Sequence, residues 1–329
     1  VVLEAAATLS GTRMNKALNL VLLALAIAFP LVAQALDELF YVSFASRILI
    51  YAVAATTLNL ILGYGGMVSF GHAAFFGAGA YCVGIAMVHG VTSAWITWPL
   101  AMIVSALLAW VIGAICLRTR GVYFIMITLA FAQMMYYIVL GLKAYGGEEG
   151  INLPSRSVVG FGVDLKNDVT FYYVCLGVLV VALYLCQRLV KARFGNVIQA
   201  IRENETRMET IGFPTFRYKL VCFVIAGGVC GLAGALIANQ TKFVNPNLLH
   251  WPVSGELMIM VILGGLAYLY GGVIGAFVLL FLDELISPYT IFSKLYVGLV
   301  LLVIVLFAPQ GIAGLIDKWR GALRGNKDG

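Results

Sequence analysis

Leu62-Gly63-Tyr64-Gly65-Gly66-Met67-Val68-Ser69-Phe70-Gly71-His72 interrupts an otherwise apolar chain and runs on into Ala73–Tyr81. Each glycine in such a stretch weakens a helix by about 1 kcal/mol relative to alanine. A second segment of the same kind, Leu263-Gly264-Gly265-Leu266 followed by Gly271-Gly272-Val273-Ile274-Gly275-Ala276-Phe277, lies in the other half of the sequence. Paired Gly-interrupted segments point to an internally repeated fold with broken helices and a pathway at membrane mid-depth. Close helix packing through small residues is the competing reading, and the pattern alone leaves both open.

The flanking sequence supplies the membrane. The 329 residues are 62% hydrophobic and 11% charged, against about 25% charged in soluble domains. Runs of roughly 20 apolar residues are long enough to span a bilayer, and in hydrocarbon they must pair their own backbone groups as helices. The expected class is therefore all-α, a polytopic transmembrane helical bundle. Its candidate spans are residues 17–36, 41–62, 67–89, 95–117, 122–142, 170–190, 219–240, 253–269, 271–287 and 292–309.

The net charge of +6 sits in short loops, a topology signal rather than a nucleic-acid footprint. Arg13 and Lys16 precede the first span, and Arg118 and Arg120 form a tight turn. Seven bases from Arg188 to Lys219 crowd one central loop, and Lys318, Arg320, Arg324 and Lys327 make the tail basic. Placing all four groups in the cytoplasm requires an even number of spans: ten, or eight if one Gly-rich pair is re-entrant. Asp37, Glu38, Glu148, Glu149, Asp164, Asp168, Asp283 and Glu284 fall on the opposite side. The organisation is a cytoplasmic N-terminal tail (1–16, with Met14 reading as a natural start), one membrane domain (17–309) and a basic cytoplasmic tail (310–329).

Several function classes drop out. The six cysteines lie in or beside apolar runs without CxxC or metal-ligand spacing, so they read as packing residues. The sequence contains no GxxxxGK[ST], HExxH, GxSxG, voltage-sensing Arg series or TVGYG-like filter. No metal and no cofactor is therefore expected on this chain. The polar positions worth weighing in the spans are His72, Gln133 and Glu256. His72 reads as a relay, a substrate contact or the cap of a broken helix, Gln133 as an interhelical hydrogen-bonding group, and Glu256 as a cavity or helix-dipole carboxylate. Between Lys191 and Lys219, residues 197–211 read as one amphipathic helix with Val197, Ile201, Met208 and Ile211 on a stripe. Glu203 stands four residues before Arg207, Gly212 offers a C-terminal cap and Pro214 ends the run. Such an element either docks into a partner or lies on the membrane surface.

Taken in order, several blocks resemble a known family. Leu58-Asn59-Leu60 running through Gly63–Gly77 is similar to the signature of LivM-type permeases of branched-chain amino-acid ABC transporters. So are Gly121–Phe124 with Thr128–Gln133, Gly146–Gly150, Arg193-Phe194-Gly195, Ala200–Glu205, Ser254-Gly255-Glu256, Leu263-Gly264-Gly265 and Phe307–Gly311. The resemblance implies a bacterial inner-membrane heterodimer with a LivH-type permease. It further implies two cytoplasmic LivG/LivF-type ATPase subunits that use ATP and magnesium, and a periplasmic amino-acid-binding protein. It places Ala200, Ile201, Arg202, Glu203, Asn204, Glu205, Arg207, Met208 and Gly212 in the segment that docks on an ATPase. Gly65, Gly66, Ser69, Gly71, His72, Phe75, Gln133, Glu256, Gly264 and Gly265 are the pathway candidates. Tyr145-Gly146-Gly147-Glu148-Glu149-Gly150 departs from the family pattern by its acidic pair and by lacking Thr before the glycines. Urea, short amides or other small polar solutes are alternative cargoes, and a stand-alone channel or secondary transporter is the alternative class.

Overall fold

The computed structural model describes residues 16–35, 39–160, 164–290, 292–307 and 310–315. Arg13, Met14, Asp37, Glu38 and the basic residues from Lys318 onward lie outside them. The chain is a helical bundle: α1 (Lys16–Ala35), α2 (Leu39–Asn59), α3 (His72–Val88), α4 (Ala94–Cys116), α5 (Val122–Gly141) and α6 (Asp168–Lys191) come first. They are followed by α7 (Arg193–Glu203), α8 (Glu205–Thr210), α9 (Thr215–Thr241), α10 (Trp251–Gly264), α11 (Gly271–Ile286) and α12 (Ser293–Phe307). Each of the ten expected spans corresponds to one helix, and α7 and α8 occupy the central basic loop.

Among the described residues, five segments are long and apolar enough to cross a membrane: Phe40–Tyr64, Ala94–Cys116, Val122–Gly141, Asp168–Lys191 and Thr215–Thr241. The shorter apolar helices include α3 and α10, of 17 and 14 residues. Both fall below the roughly 20 residues a full span requires. Residues 67–71, expected at the start of the third span, are not helical, nor are Gly65 and Gly66 before them. Here the glycine penalty prevails over the apolar pattern.

α9 is the central post, packed on α4, α3 and α2. Lipid tails are as apolar as leucine, so helices in a bilayer gain little by hiding hydrophobic side chains and associate through close packing of small residues. α9 carries the sequence this needs. Gly227 lies against Ala109 and Phe75, Gly231 against Ser105 and the backbone of Gly79, and Gly234 against the carbonyl of Phe76. Large apolar side chains instead point outward, as with Ile103, Leu107, Trp110 and Val111 on α4.

One end of the bundle gathers the basic loops. Arg120, in the α4–α5 turn, pairs with Glu209 at 2.9 Å and Glu205 at 3.5 Å on α8. Lys219 on α9 also pairs with Glu205. The Arg118–Arg120 turn and the central loop thus lie at the same end, as the charge pattern requires. At the other end, a two-residue antiparallel ladder joins β1 (Ile151–Asn152) to β2 (Phe243–Val244). Arg156, 6% exposed, is clamped there by the ring of Phe171 and the carboxylate of Asp168.

Candidate functional site

α2 does not stop cleanly. It widens into a π-turn over Leu60–Tyr64, and the chain reverses through Gly65 and Gly66, the latter at φ 67°. Residues 67–71 return beside α2 before α3 begins at His72. The Nε2 of His72 lies 3.0 Å from the hydroxyl of Thr57. Thr57 stands seven residues before Tyr64, and at about 1.5 Å per residue the return leg carries the start of α3 roughly 10 Å inward. α3 is accordingly a part-span helix with a buried N-terminus.

That N-terminus is assembled from four other helices. Gly71 N–H donates to Ser69 Oγ at 3.1 Å, and Phe70 N–H to Thr128 Oγ1 of α5 at 3.2 Å. Ala73 N–H donates to Ser254 Oγ at 2.8 Å. Ser254 lies in the first turn of α10, so the N-termini of two part-span helices meet. Ser105 of α4 donates to the Phe75 carbonyl at 3.1 Å, and the Cys230 thiol of α9 approaches the His72 carbonyl at 3.7 Å. Phe75 sets its ring edge-on to His72 and Phe223, with centroids at 5.7 and 5.5 Å. Helix N-termini carry unpaired N–H groups and partial positive charge, so this junction is a polar spot within an apolar bundle.

The second break abuts the first. α10 ends at Gly264, Gly265 turns at φ 114°, and α11 leaves at Gly271. Asn59 joins the two breaks: its Nδ2 donates to the Tyr268 carbonyl at 2.7 Å and its Oδ1 accepts from Ala267 N–H at 3.1 Å. Gly63 makes room for this contact, because a Cβ there would press on both the Asn59 side chain and the Ala267 backbone. Asn59 was missed as a site residue; the available signal was a lone amide in an apolar run, four residues before a glycine. Asn59→Ala strips partners from two backbone groups at a nearly closed position. We expect about 1–3 kcal/mol of lost stability, read as a lower thermal midpoint of the detergent-solubilised protein, with Asn59→Asp recovering only the Ala267 bond. An unchanged midpoint in the alanine variant would contradict the link.

Arg202 ties the basic-end loop to the first break. Its guanidinium donates to the Gly63 carbonyl, and its alkyl stem covers Gly66, where a Cβ would come within 2.8 Å. The expected single helix over 197–211 is corrected here: Asn204, at φ −156°, splits it into α7 and α8. Its side chain accepts from Arg207 N–H at 2.9 Å, an N-cap that competes with helix continuation. Glu203 and Arg207 therefore flank a break rather than share a face, and among the described residues no ion pair joins them. Of the predicted stripe Ile201 is buried, Val197 and Met208 are half-buried, and Ile211 is 61% exposed, so the stripe does not reach the end of α8. Gly212 does close α8, at φ 95°. The Ala200 carbonyl accepts the Asn204 N–H, and the Met208 carbonyl accepts the Phe213 N–H, each at 3.0 Å.

Two candidates stand apart from the junction. Gln133 sits on α5 with its Oε1 buried and unpaired among the described residues, so the expected interhelical bond is not made. Gly255 backs onto Phe70, but Glu256 points away, to Lys294 at 3.1 Å.

The family model described as "Branched-chain amino acid transport system / permease component" matches residues 40–309. The LivM high-affinity branched-chain amino acid permease protein of Salmonella typhimurium is 28% identical over 92% of this chain and 76% of its own length. The Escherichia coli LivM protein is 27% identical over the same shares. The Escherichia coli LivH permease protein is 21% identical over 80% of this chain and 91% of its own length. No solved structure gave a significant match. The matched region runs from the start of α2 to the end of α12 and contains both breaks: this chain is a multi-pass membrane protein belonging to the permease-component family of branched-chain amino acid transport systems.

Proposed function

We propose that this chain is one permease half of an ATP-driven importer, working beside a LivH-type permease. A periplasmic binding protein delivers branched-chain or related amino acids, and two cytoplasmic ATPase subunits supply the energy. Both termini and the α7–α8 pair face the cytoplasm. The observation that carries this reading is the Arg202–Gly63 bond. It connects the helical pair best suited to receive an ATPase with the broken segment that leads to the buried junction of α3 and α10. Rocking of α7 would pull directly on the π-turn, and a ligand need only favour one of the two resulting states. Gly65, Gly66, Ser69, Gly71, His72, Phe75, Gly264 and Gly265 border the moving parts in this scheme, and the exposed Glu148–Glu149 loop faces the binding protein.

Reconstitution tests it. Proteoliposomes holding the assembled permease pair and ATPases should take up labelled leucine only with ATP and the binding protein present. Urea should be left outside. Uptake by this chain alone, or uptake indifferent to ATP, would establish the stand-alone channel or secondary transporter instead.

A further inference from the structure

Away from the helix breaks, α2, α10, α11 and α12 enclose a crevice of about 150 Å³ with charge of both signs. We propose that it seats a free α-amino acid as the zwitterion, its ammonium on Glu256 and Asp283 and its carboxylate on Arg47. This rests on the amino-acid reading above and adds to it a binding site within the permease itself.

The ammonium seat is visible because Lys294 fills it. Lys294 Nζ lies 3.1 Å from Glu256 and 3.5 Å from Asp283, so a primary ammonium between these two carboxylates already has workable geometry. Two carboxylates facing one cation leave a local surplus of negative charge. The Lys294 side chain is 72% exposed, on the first turn of α12, and is free to swing out when another ammonium arrives. Arg47 supplies the opposite pole. Its guanidinium lies 5.9 Å over the ring of Tyr51, and among the described residues no carboxylate pairs with it. A planar fork without an anion is suited to bidentate capture of a carboxylate. Between the poles the wall is mostly apolar: Ile259, Met260, Leu279 and Leu301, with Tyr51 beside Arg47, offer a surface for a branched side chain. A phosphatidylethanolamine headgroup shares the ammonium-and-anion pattern, so the lipid must be controlled.

The test uses the assembled complex without binding protein in phosphatidylcholine nanodiscs, with labelled leucine as probe. Wild type should prefer leucine over 4-methylpentanoate, which lacks the ammonium, and over leucinamide, which lacks the carboxylate. Losing one partner of a charge-assisted contact should weaken binding by about tenfold or more. Arg47→Gln should weaken leucine but not leucinamide; Glu256→Gln with Asp283→Asn should weaken leucine but not 4-methylpentanoate. Lys294→Met removes the built-in competitor and should tighten leucine severalfold, a gain that misfolding cannot imitate. Unchanged leucine binding across these variants, or weaker binding in Lys294→Met, would overturn the assignment. Displacement of leucine by phosphatidylethanolamine would overturn it too, giving the crevice to lipid. Binding-protein-dependent leucine uptake by the wild type is measured in parallel. Its absence would remove the amino-acid reading itself, whereas its presence beside unaffected variants would remove only the crevice.

Discussion

Replacing Arg202 with alanine should leave the protein inserted and assembled with its partners, yet lower leucine transported per ATP hydrolysed by about tenfold or more. The magnitude follows from the contact. A guanidinium donating to a carbonyl is a charge-assisted bond, with a net contribution of about 1.5–3 kcal/mol. About 1.4 kcal/mol is one factor of ten in an equilibrium between transport states. The Gly63 acceptor lies in a π-turn, where the helical ladder is already out of register, so this bond fixes backbone with few other ties. Arg202→Lys keeps the charge but loses the fork and should retain part of the coupling. Lys191→Ala, an exposed cation in the last turn of α6 at the same end, should behave as wild type. Proteoliposomes measured for uptake and hydrolysis together give the ratio directly. An Arg202→Ala complex with wild-type coupling would show that α7 moves independently of the break.

Much of the bundle was legible because its rules are local. Apolar length places each helix, and lysine and arginine sort the loops. Gly212 caps α8 as glycine does where a left-handed residue must follow a helix. The glycines at 63, 65 and 66 mark where a break can fall, but the pattern alone does not separate a break from close packing: Gly227, Gly228, Gly231 and Gly234 sit inside the unbroken α9. What joins the breaks was not legible. Asn59 and Ala267 are 208 residues apart, and no periodicity connects them. Nor does a lone apolar stripe reveal an interruption: Val197–Ile211 has helical spacing throughout, but the Asn204 side chain bonds the Arg207 N–H and stops α7. Glu256 reads from the sequence as either a cavity or a helix-dipole carboxylate, and in the structure it lines a crevice. Arg47, Asp283 and Lys294, which line the same crevice, come from three other helices, and no spacing in the sequence connects them to it.

Gly234→Val should be the most damaging single change away from any site. A Cβ at Gly234 would overlap the carbonyl of Phe76 and reach Ala80 N, so the obstruction on α3 is backbone and cannot rotate away. Gly79, one helical turn along α3, meets the backbone of Gly231 in the same way. α9 would have to separate from α3, and that displacement carries Phe75 and His72 with it, since Phe75 packs on Phe223 and the Cys230 thiol lies against the His72 carbonyl. Overpacking in a side-chain core costs about 1–3 kcal/mol, and here no side chain is available to yield, so we expect a loss of about 3 kcal/mol or more. In a bilayer nothing offsets it, because close packing is itself the main attraction between these helices. The measurement is fluorescence-detected size exclusion with a thermal ramp: Gly234→Val should give little monodisperse protein, and Gly234→Ala an intermediate amount with a lowered midpoint. Gly177→Ala, on α6 with open space around the added methyl, should match or exceed wild type. A Gly234→Val protein with a wild-type profile would mean that α3 and α9 stand farther apart than their glycines allow, and that the start of α3 is held by its hydrogen bonds alone.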